Sequence, residues 1–316
     1  MKKFTSVTDI ENIDELLALS KKVKANPLGF KPAGENKTLG LLFFNPSLRT
    51  RLSTQKAAMN LGMNVMVMNL NNDGWSIELV DGVVMNEGTQ EHIKEVAGVI
   101  SQYCDIIGIR TFASLTDKQG DYQEEIINKF IKNAIVPVIS LESAILHPLQ
   151  SFADIITIDE HKTKEKPKVV LTWAPHPKAL PQTVANSFVE WMAKTDVELV
   201  ITNPKGFDLA PKFTEGIEII HNQKDALKGA DFVYAKNWSS YEDYGQIGAE
   251  FNDWIINDEK MQLTNNGKFM HCLPLRRNVV VSDDVIDSKN SLVLNQANNR
   301  VYSAQTVLLK MLQNEK

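Results

Sequence analysis

The sequence predicts an α/β protein of two domains, each a mainly parallel sheet flanked by helices. Three observations carry that expectation. Short apolar runs alternate with amphipathic stretches from one end to the other, as strand–helix–strand units require. The chain has 316 residues, more than one hydrophobic core usually serves. Its composition, 43% hydrophobic and 23% charged, supplies apolar residues for two cores and argues against extensive disorder.

In order along the chain, residues 41–44, 65–68, 106–109 and 136–139 read as buried strands. Residues 52–61, 93–100 and 126–131 read as helices between them. The second of these is the clearest, because Ile93, Val96, Ala97 and Ile100 fall at i, i+3, i+4 and i+7. A second series of strands is expected at 169–173, 197–202, 217–220 and 232–235, with later ones at 269–272 and 292–294. A final helix is expected at 301–312, and the polar segment 159–168 reads as a loop near the domain boundary.

Several classes of protein are disfavoured. A formal net charge of −5 argues against nucleic-acid binding through overall positive charge. Cys104 and Cys272 sit in unrelated contexts, so neither a disulfide framework nor a zinc spacing is available and a reducing cytoplasm is expected. No apolar run approaches the roughly 18 residues of a membrane span, and no apolar signal core follows Met1. Neither G-x-G-x-x-G nor G-x-x-x-x-G-K-[ST] is present, which lowers the odds of a dinucleotide dehydrogenase or a P-loop nucleotide hydrolase. Nothing in the sequence implies a metal or an organic cofactor.

In open α/β sheets, ligands bind beyond the carboxyl ends of strands. The first strand leads into Asn45-Pro46-Ser47-Leu48-Arg49-Thr50-Arg51 and then into a helical pattern. Ser47 is a natural N-cap, and the free N–H groups of a helix start, two hydroxyls and a guanidinium make a phosphate cradle. The alternative is a capped helix with two solvated arginines. Arg49 and Arg51 face different sides of a helix, so one should bind ligand while the other supports structure.

Other polar residues follow other strands. Arg110 ends one strand; Glu142 and His147-Pro148-Leu149-Gln150 come after another. His147 suits polarisation of a carbonyl, and the Gln150 amide suits binding of a carbamoyl nitrogen. In the second half, Trp173 to Pro177, Lys236 and His271 to Arg277 occupy equivalent places. Singly, each has a bland reading as a packed histidine, a buried thiol or a surface cation. Their recurrence at successive strand ends favours a site.

Together, Ser47-Leu48-Arg49-Thr50-Arg51, Arg110, His147-Pro148-Leu149-Gln150 and His271-Cys272-Leu273-Pro274 resemble the family of aspartate and ornithine carbamoyltransferases. The pattern covers most of the chain. The resemblance implies a carbamoyl phosphate-binding domain at 1–145, a second-substrate domain at 146–300, and a C-terminal helix at 301–316 returning to the first domain. It also implies a homotrimer with active sites at subunit interfaces. Catalysis would fall to Thr50, Arg110 and His147. Carbamoyl phosphate would be held by Ser47, Leu48, Arg49, Thr50, Trp75 of an adjacent subunit, Arg110, His147, Pro148, Leu149, Gln150, Cys272, Leu273 and Arg300. An anion-binding oligomeric relative without catalysis is the rival reading of another class.

Within that family the chain looks like the acylornithine branch, which implies a knotted second domain. The segment Tyr234-Ala235-Lys236-Asn237-Trp238 stands where ornithine enzymes carry an aspartate and a Ser-Met-Gly stretch. A lysine repels an α-ammonium and attracts an α-carboxylate, which suits an acceptor whose α-nitrogen is a neutral amide. Asp73-Gly74-Trp75, Thr172 to Pro177 and Pro274 to Asn278 also resemble this branch. The resemblance assigns Glu142, His176, Lys236, Arg276 and Gln90 to the acylornithine. Members using N-acetylornithine have a glutamate at the place aligned with Gln90, or with Glu91 after a one-residue slip, and a lysine where this chain has Gln305. Both departures favour N-succinylornithine as acceptor, with N-acetylornithine the alternative.

Overall fold

Two five-stranded sheets and a two-stranded ribbon carry the fold, and every strand pair in them is parallel. The computed structural model describes residues 1–70 and 74–313. Asp73 of the Asp73-Gly74-Trp75 motif therefore lies outside the described residues. Among the described residues, no helix is long and apolar enough to cross a membrane.

The first sheet contains β1 (Lys3–Phe4), β2 (Thr38–Phe43), β3 (Asn64–Asn69), β6 (Ile106–Arg110) and β7 (Val138–Glu142), in the order β1-β7-β6-β2-β3. β6 and β7 are buried along their whole length, which is why they read as continuous apolar runs. β3 is an edge strand whose residues alternate between exposed and half-buried. The short strands β4 (Ile77–Glu78) and β5 (Glu91–His92) form the separate ribbon.

The second sheet contains β8 (Lys168–Trp173), β9 (Glu198–Thr202), β10 (Glu218–Ile219), β11 (Phe232–Lys236) and β12 (Lys268–Met270), in the order β10-β9-β8-β11-β12. Val170, Ala174, Val200, Val233 and Phe269 share its core. Trp173 packs edge-on against Phe251 and Trp254, and tilted against Phe207.

The chain divides into two compact units. One comprises Met1–Ala113, Gln119–Leu149 and Arg300–Lys316; the other comprises Ser114–Lys118 and Gln150–Asn299. Both main divisions fall inside helices, Pro148–His161 and Val293–Gln313. The polar segment 159–168 therefore does not mark the boundary: it begins inside one helix, ends in β8, and lies wholly within the second unit. The true break escapes notice because the helix crossing it is buried at almost every position and no polar stretch interrupts it.

Residues 292–294 are not a strand. Leu292 pairs its N–H with the Phe269 carbonyl, and the last helix then begins at Val293, eight residues before the expected start. The run Asn295-Gln296-Ala297-Asn298-Asn299 has weak helix propensity. Tertiary bonds override it: Gln296 bonds Asp154 and the His271 N–H, while Asn299 bonds Thr157 and Glu160. Farther along, buried Gln305 bonds Asn60 and the Pro27 carbonyl within the first unit.

Candidate active site

In the first unit, adjacent strand ends gather a cationic group. The register between β6 and β7 shifts at Ile109/Arg110, so that Arg110 stands opposite Glu142. Arg110 donates through Nε and Nη2 to Glu142 Oε2 at 3.0 and 2.8 Å. Its Nη1 donates to the carbonyls of Asn45 and Pro46, both at 3.0 Å. The guanidinium is thus locked in place before any ligand arrives, with both residues of the ion pair about nine-tenths buried.

Ser47 occupies the N-cap position of helix Leu48–Asn60 with extended backbone, yet its side chain makes no capping bond. Thr50, one turn into that helix, is 1% exposed, and its hydroxyl accepts from Arg300 Nη2 at 2.6 Å. Leu48 lies outermost and exposed, while Arg49 is half-buried.

His147 immediately precedes helix Pro148–His161 and is 3% exposed. Burial pushes its basicity well below the ordinary histidine value of 6.5, and Arg300, Arg110 and Arg49 add to the shift in that order. The imidazole is therefore neutral at pH 7. Its Nε2 faces Arg300 Nη2 at 3.5 Å. Because arginine only donates, Nε2 presents its lone pair and the proton resides on Nδ1. That buried Nδ1 has no hydrogen-bond partner among the described residues.

This burial has a consequence for stability. The unfolded chain takes up a proton at His147 near pH 6.5, whereas the folded chain resists it, so stability falls as pH drops below about 6.5. Below the lowered folded value the penalty levels off. His147→Gln removes the titrating group, and thermal melting followed from pH 7.5 to 5 should show a shallower acid decline than wild type. Parallel declines would show that His147 protonation does not govern that window.

In the second unit, β8 and β11 end side by side, with Trp173 in register with Lys236. The N–H of Ala174 bonds the Lys236 carbonyl, and Asn237 Nδ2 bonds the Ala174 carbonyl. Trp173 and Trp238 then fasten the segment through indole N–H bonds to the carbonyls of Trp238 and Phe207. Lys236 is 8% exposed, with Nζ on the Asn237 carbonyl at 2.9 Å. Arg276 Nε donates to His176 Nε2 at 3.3 Å, and His176 Nδ1 meets the Lys178 backbone, 2.9 Å from its carbonyl and 3.1 Å from its N–H. Burial lowers the basicity of His176; its backbone bond to Lys178 opposes this, and Lys236, Arg276 and Lys178 lower it further. Neighbouring Arg277 is spent on Asp283 and Asp287, whereas Arg276 is exposed and has no carboxylate partner among the described residues.

Gln150 belongs to this unit as well. Its Nε2 donates to Asp154 Oδ1 at 2.7 Å, and its buried Oε1 has no partner among the described residues. Leu273 has a left-handed φ of 55° and spends its N–H on His271 Nδ1, leaving only its carbonyl for a ligand. Cys272 is buried beside it.

Thr50, Arg110, Glu142, His147 and Arg300 are thus assembled around one another, with Arg49 acting electrostatically. His176, Lys236 and Arg276 form a second cationic group. Trp75 and Gln90 join neither: Trp75 Nε1 bonds Glu91, Gln90 Oε1 accepts the Ser76 N–H, and both side chains are exposed beside the ribbon. Glu142 and the second cationic group lie in different units. Sequence reasoning missed Asp154 and Gln296. The four-residue spacing of Gln150 and Asp154 on one helix was the available signal, since such pairs face each other.

Comparison with known proteins identifies a carbamoyl-transferring enzyme. Residues 2–160 match the aspartate/ornithine carbamoyltransferase carbamoyl-P binding domain, and residues 181–311 match the Asp/Orn binding domain; the chain belongs to this family. It is 52% identical over 316 residues to the N-succinylornithine carbamoyltransferase of Bacteroides fragilis, covering 99% of each chain. Identity to the N-acetylornithine carbamoyltransferase of Xanthomonas axonopodis is 36%, over 94% of this chain and 92% of that one. Among solved structures, acetylornithine transcarbamylase complexed with acetylcitrulline superposes with a TM-score of 0.93 at 34% identity, covering 98% of this chain and 99% of that one. A glutamate-to-alanine variant of N-acetyl-L-ornithine transcarbamylase, complexed with carbamyl phosphate and N-succinyl-L-norvaline, gives 0.92 at 34% identity, covering 98% and 100%.

Proposed function

We propose that this enzyme transfers the carbamoyl group of carbamoyl phosphate to the δ-amine of N-succinyl-L-ornithine, giving N-succinyl-L-citrulline and phosphate in arginine biosynthesis. One observation carries most weight: Arg276 has no carboxylate partner among the described residues, while Arg277 beside it has two. An exposed guanidinium that bonds His176 and meets no carboxylate among the described residues suits a second substrate carboxylate, which succinyl has and acetyl lacks. The high identity to N-succinylornithine carbamoyltransferases supports the same acceptor. A solved relative in which loss of one glutamate accompanies a succinyl ligand supports it too, on the reading that places Gln90, rather than Glu91 one residue on, at that glutamate.

In this reading the start of helix Leu48–Asn60, from Ser47 to Thr50, holds the phosphate with Arg49, and Trp75 is lent by an adjacent subunit. Arg110, Thr50 and the neutral His147 polarise the carbonyl. The buried Gln150 oxygen, without a partner among the described residues, accepts a carbamoyl N–H, and the Leu273 carbonyl helps to orient that amide. Pro148, Leu149, Cys272 and Arg300 shape and brace this site. Glu142, His176, Lys236 and Arg276 receive the acylornithine, with Gln90 near the acyl group. The neutral δ-amine attacks the carbonyl carbon, the fixed donors stabilise the oxyanion of the tetrahedral intermediate, and the C–O bond to phosphate breaks. Departing phosphate takes the amine proton, so no protein base is needed.

Exposed Leu48, Met66, Met68 and Trp75 on the first unit offer apolar surface for a second copy, consistent with a homotrimer. Both cysteines are free thiols, which suits a cytoplasmic enzyme.

Incubation with carbamoyl phosphate and each of N-succinylornithine, ornithine and aspartate tests the activity. Equimolar N-succinylcitrulline and phosphate are expected from the first, with no carbamoylated product from the others. Product from ornithine alone would refute acylornithine specificity. Lys236→Met should weaken acylornithine binding at least roughly tenfold, the loss of about 1.5–3 kcal/mol from a charge-assisted bond to the α-carboxylate. Carbamoyl phosphate binding should be spared. Equal weakening of both ligands in calorimetric titration would mark Lys236 as structural.

A further inference from the structure

A buried chain of hydrogen bonds in the second unit has a direction, and Asp154 sets it. Asp154 is 0% exposed and lies one turn after Gln150 on helix Pro148–His161. Its Oδ1 accepts from Gln150 Nε2 and from Gln296 Nε2, each at 2.7 Å. Gln296 Oε1 in turn accepts the His271 N–H at 2.9 Å, and His271 Nδ1 accepts the Leu273 N–H at 2.8 Å. Oδ1 accepts from both glutamines, so both turn their NH2 groups towards Asp154. The rest follows: the Gln150 oxygen is directed away from Asp154, and the Gln296 oxygen faces the loop that carries Leu273.

We infer that Asp154 is a positioning residue that fixes the amide of Gln150 with its oxygen outward, and so makes the site select a carbamoyl NH2 over a group that cannot donate. This inference rests on the reading of Gln150 as the acceptor for the carbamoyl amide. An amide end is nearly symmetric in shape, and without a fixed partner it can present either NH2 or oxygen. Presenting NH2 to a substrate NH2 pairs donor with donor. The buried Gln150 oxygen has no other partner among the described residues, so the native orientation leaves an acceptor that only a ligand or water can satisfy. The same carboxylate reaches the Leu273 loop through Gln296 and His271, which couples the two groups assigned to the amide of the transferred carbamoyl.

Acetyl phosphate is the informative probe, because a methyl group replaces the NH2 at almost equal size. The quantity read is the affinity ratio of carbamoyl phosphate to acetyl phosphate, titrated calorimetrically without acceptor. Gln150→Leu should lower the ratio roughly tenfold, since it removes the oxygen altogether. Asp154→Ala should lower it by a similar factor and add little to Gln150→Leu in the double variant. Asp154→Asn keeps a carbonyl oxygen where both glutamines donate, and should retain most of the wild-type ratio. Should the alanine variant fail to fold, Asp154→Ser, too short to reach Gln150, should show the same loss. A purely structural Asp154 would weaken both phosphates alike and leave the ratio intact, which overturns the inference while Gln150→Leu still lowers it. An unchanged ratio in Gln150→Leu would instead overturn the reading of Gln150 itself.

Discussion

Arg110→Ala is expected to cut turnover roughly 100- to 1,000-fold, equivalent to about 3–4 kcal/mol of lost transition-state stabilisation from one fixed oxyanion donor. The expectation follows from preorganisation. Glu142 and the carbonyls of Asn45 and Pro46 hold the guanidinium through bonds of 3.0 Å or less, so little reorganisation accompanies the reaction. The same geometry predicts a second effect. Removing one partner from a buried ion pair leaves Glu142 uncompensated, at a cost of about 3–5 kcal/mol in stability. The two effects separate in Arg110→Ala/Glu142→Gln, where the stranded charge is neutralised. Melting temperature should recover in part, and turnover should not. If turnover recovers together with the melting temperature, Arg110 acts through the fold rather than on the substrate.

Gln90→Glu should move acceptor preference from N-succinylornithine towards N-acetylornithine. Gln90 is exposed beside the β4–β5 ribbon, where its N–H donates to the Ser76 carbonyl and its side-chain oxygen accepts the Ser76 N–H, both at 3.0 Å. A glutamate keeps both bonds, so the loop should hold its shape while gaining a charge. Two like charges about 4 Å apart repel by roughly 1 kcal/mol in water and roughly 4 kcal/mol at an effective dielectric of 20. The succinyl substrate should therefore lose about fivefold to several hundredfold in kcat/KM. The acetyl substrate has no acyl charge and should escape the penalty. Both acceptors are assayed at one ionic strength, and an unchanged ratio places Gln90 outside the acyl pocket.

The alternating α/β pattern was legible because buried parallel strands must be apolar on both faces. Ile106 to Arg110 and Phe232 to Lys236 are buried from end to end and stood out as runs. Arg110, His147 and Lys236 were legible for the complementary reason, as polar residues placed where such runs stop. What stayed hidden depends on tertiary partners. The first turns of helix Val293–Gln313 owe their helicity to Asp154, Thr157 and Glu160, which lie far away in sequence. The Arg110–Glu142 pairing depends on a register shift between neighbouring strands, which no local pattern encodes. Gln305 was read as a marker of the acceptor; in the structure it is wholly buried and ties Asn60 to the Pro27 carbonyl, so its bearing on the acceptor is not direct contact.

Acceptor choice in the wild-type enzyme is the sharpest test, read as the ratio of kcat/KM for N-succinylornithine to that for N-acetylornithine at saturating carbamoyl phosphate. A charge-assisted bond from Arg276 to the succinyl carboxylate contributes about 1.5–3 kcal/mol, so the ratio should exceed roughly ten. A ratio at or below one would contradict succinylornithine as the acceptor and leave N-acetylornithine in its place.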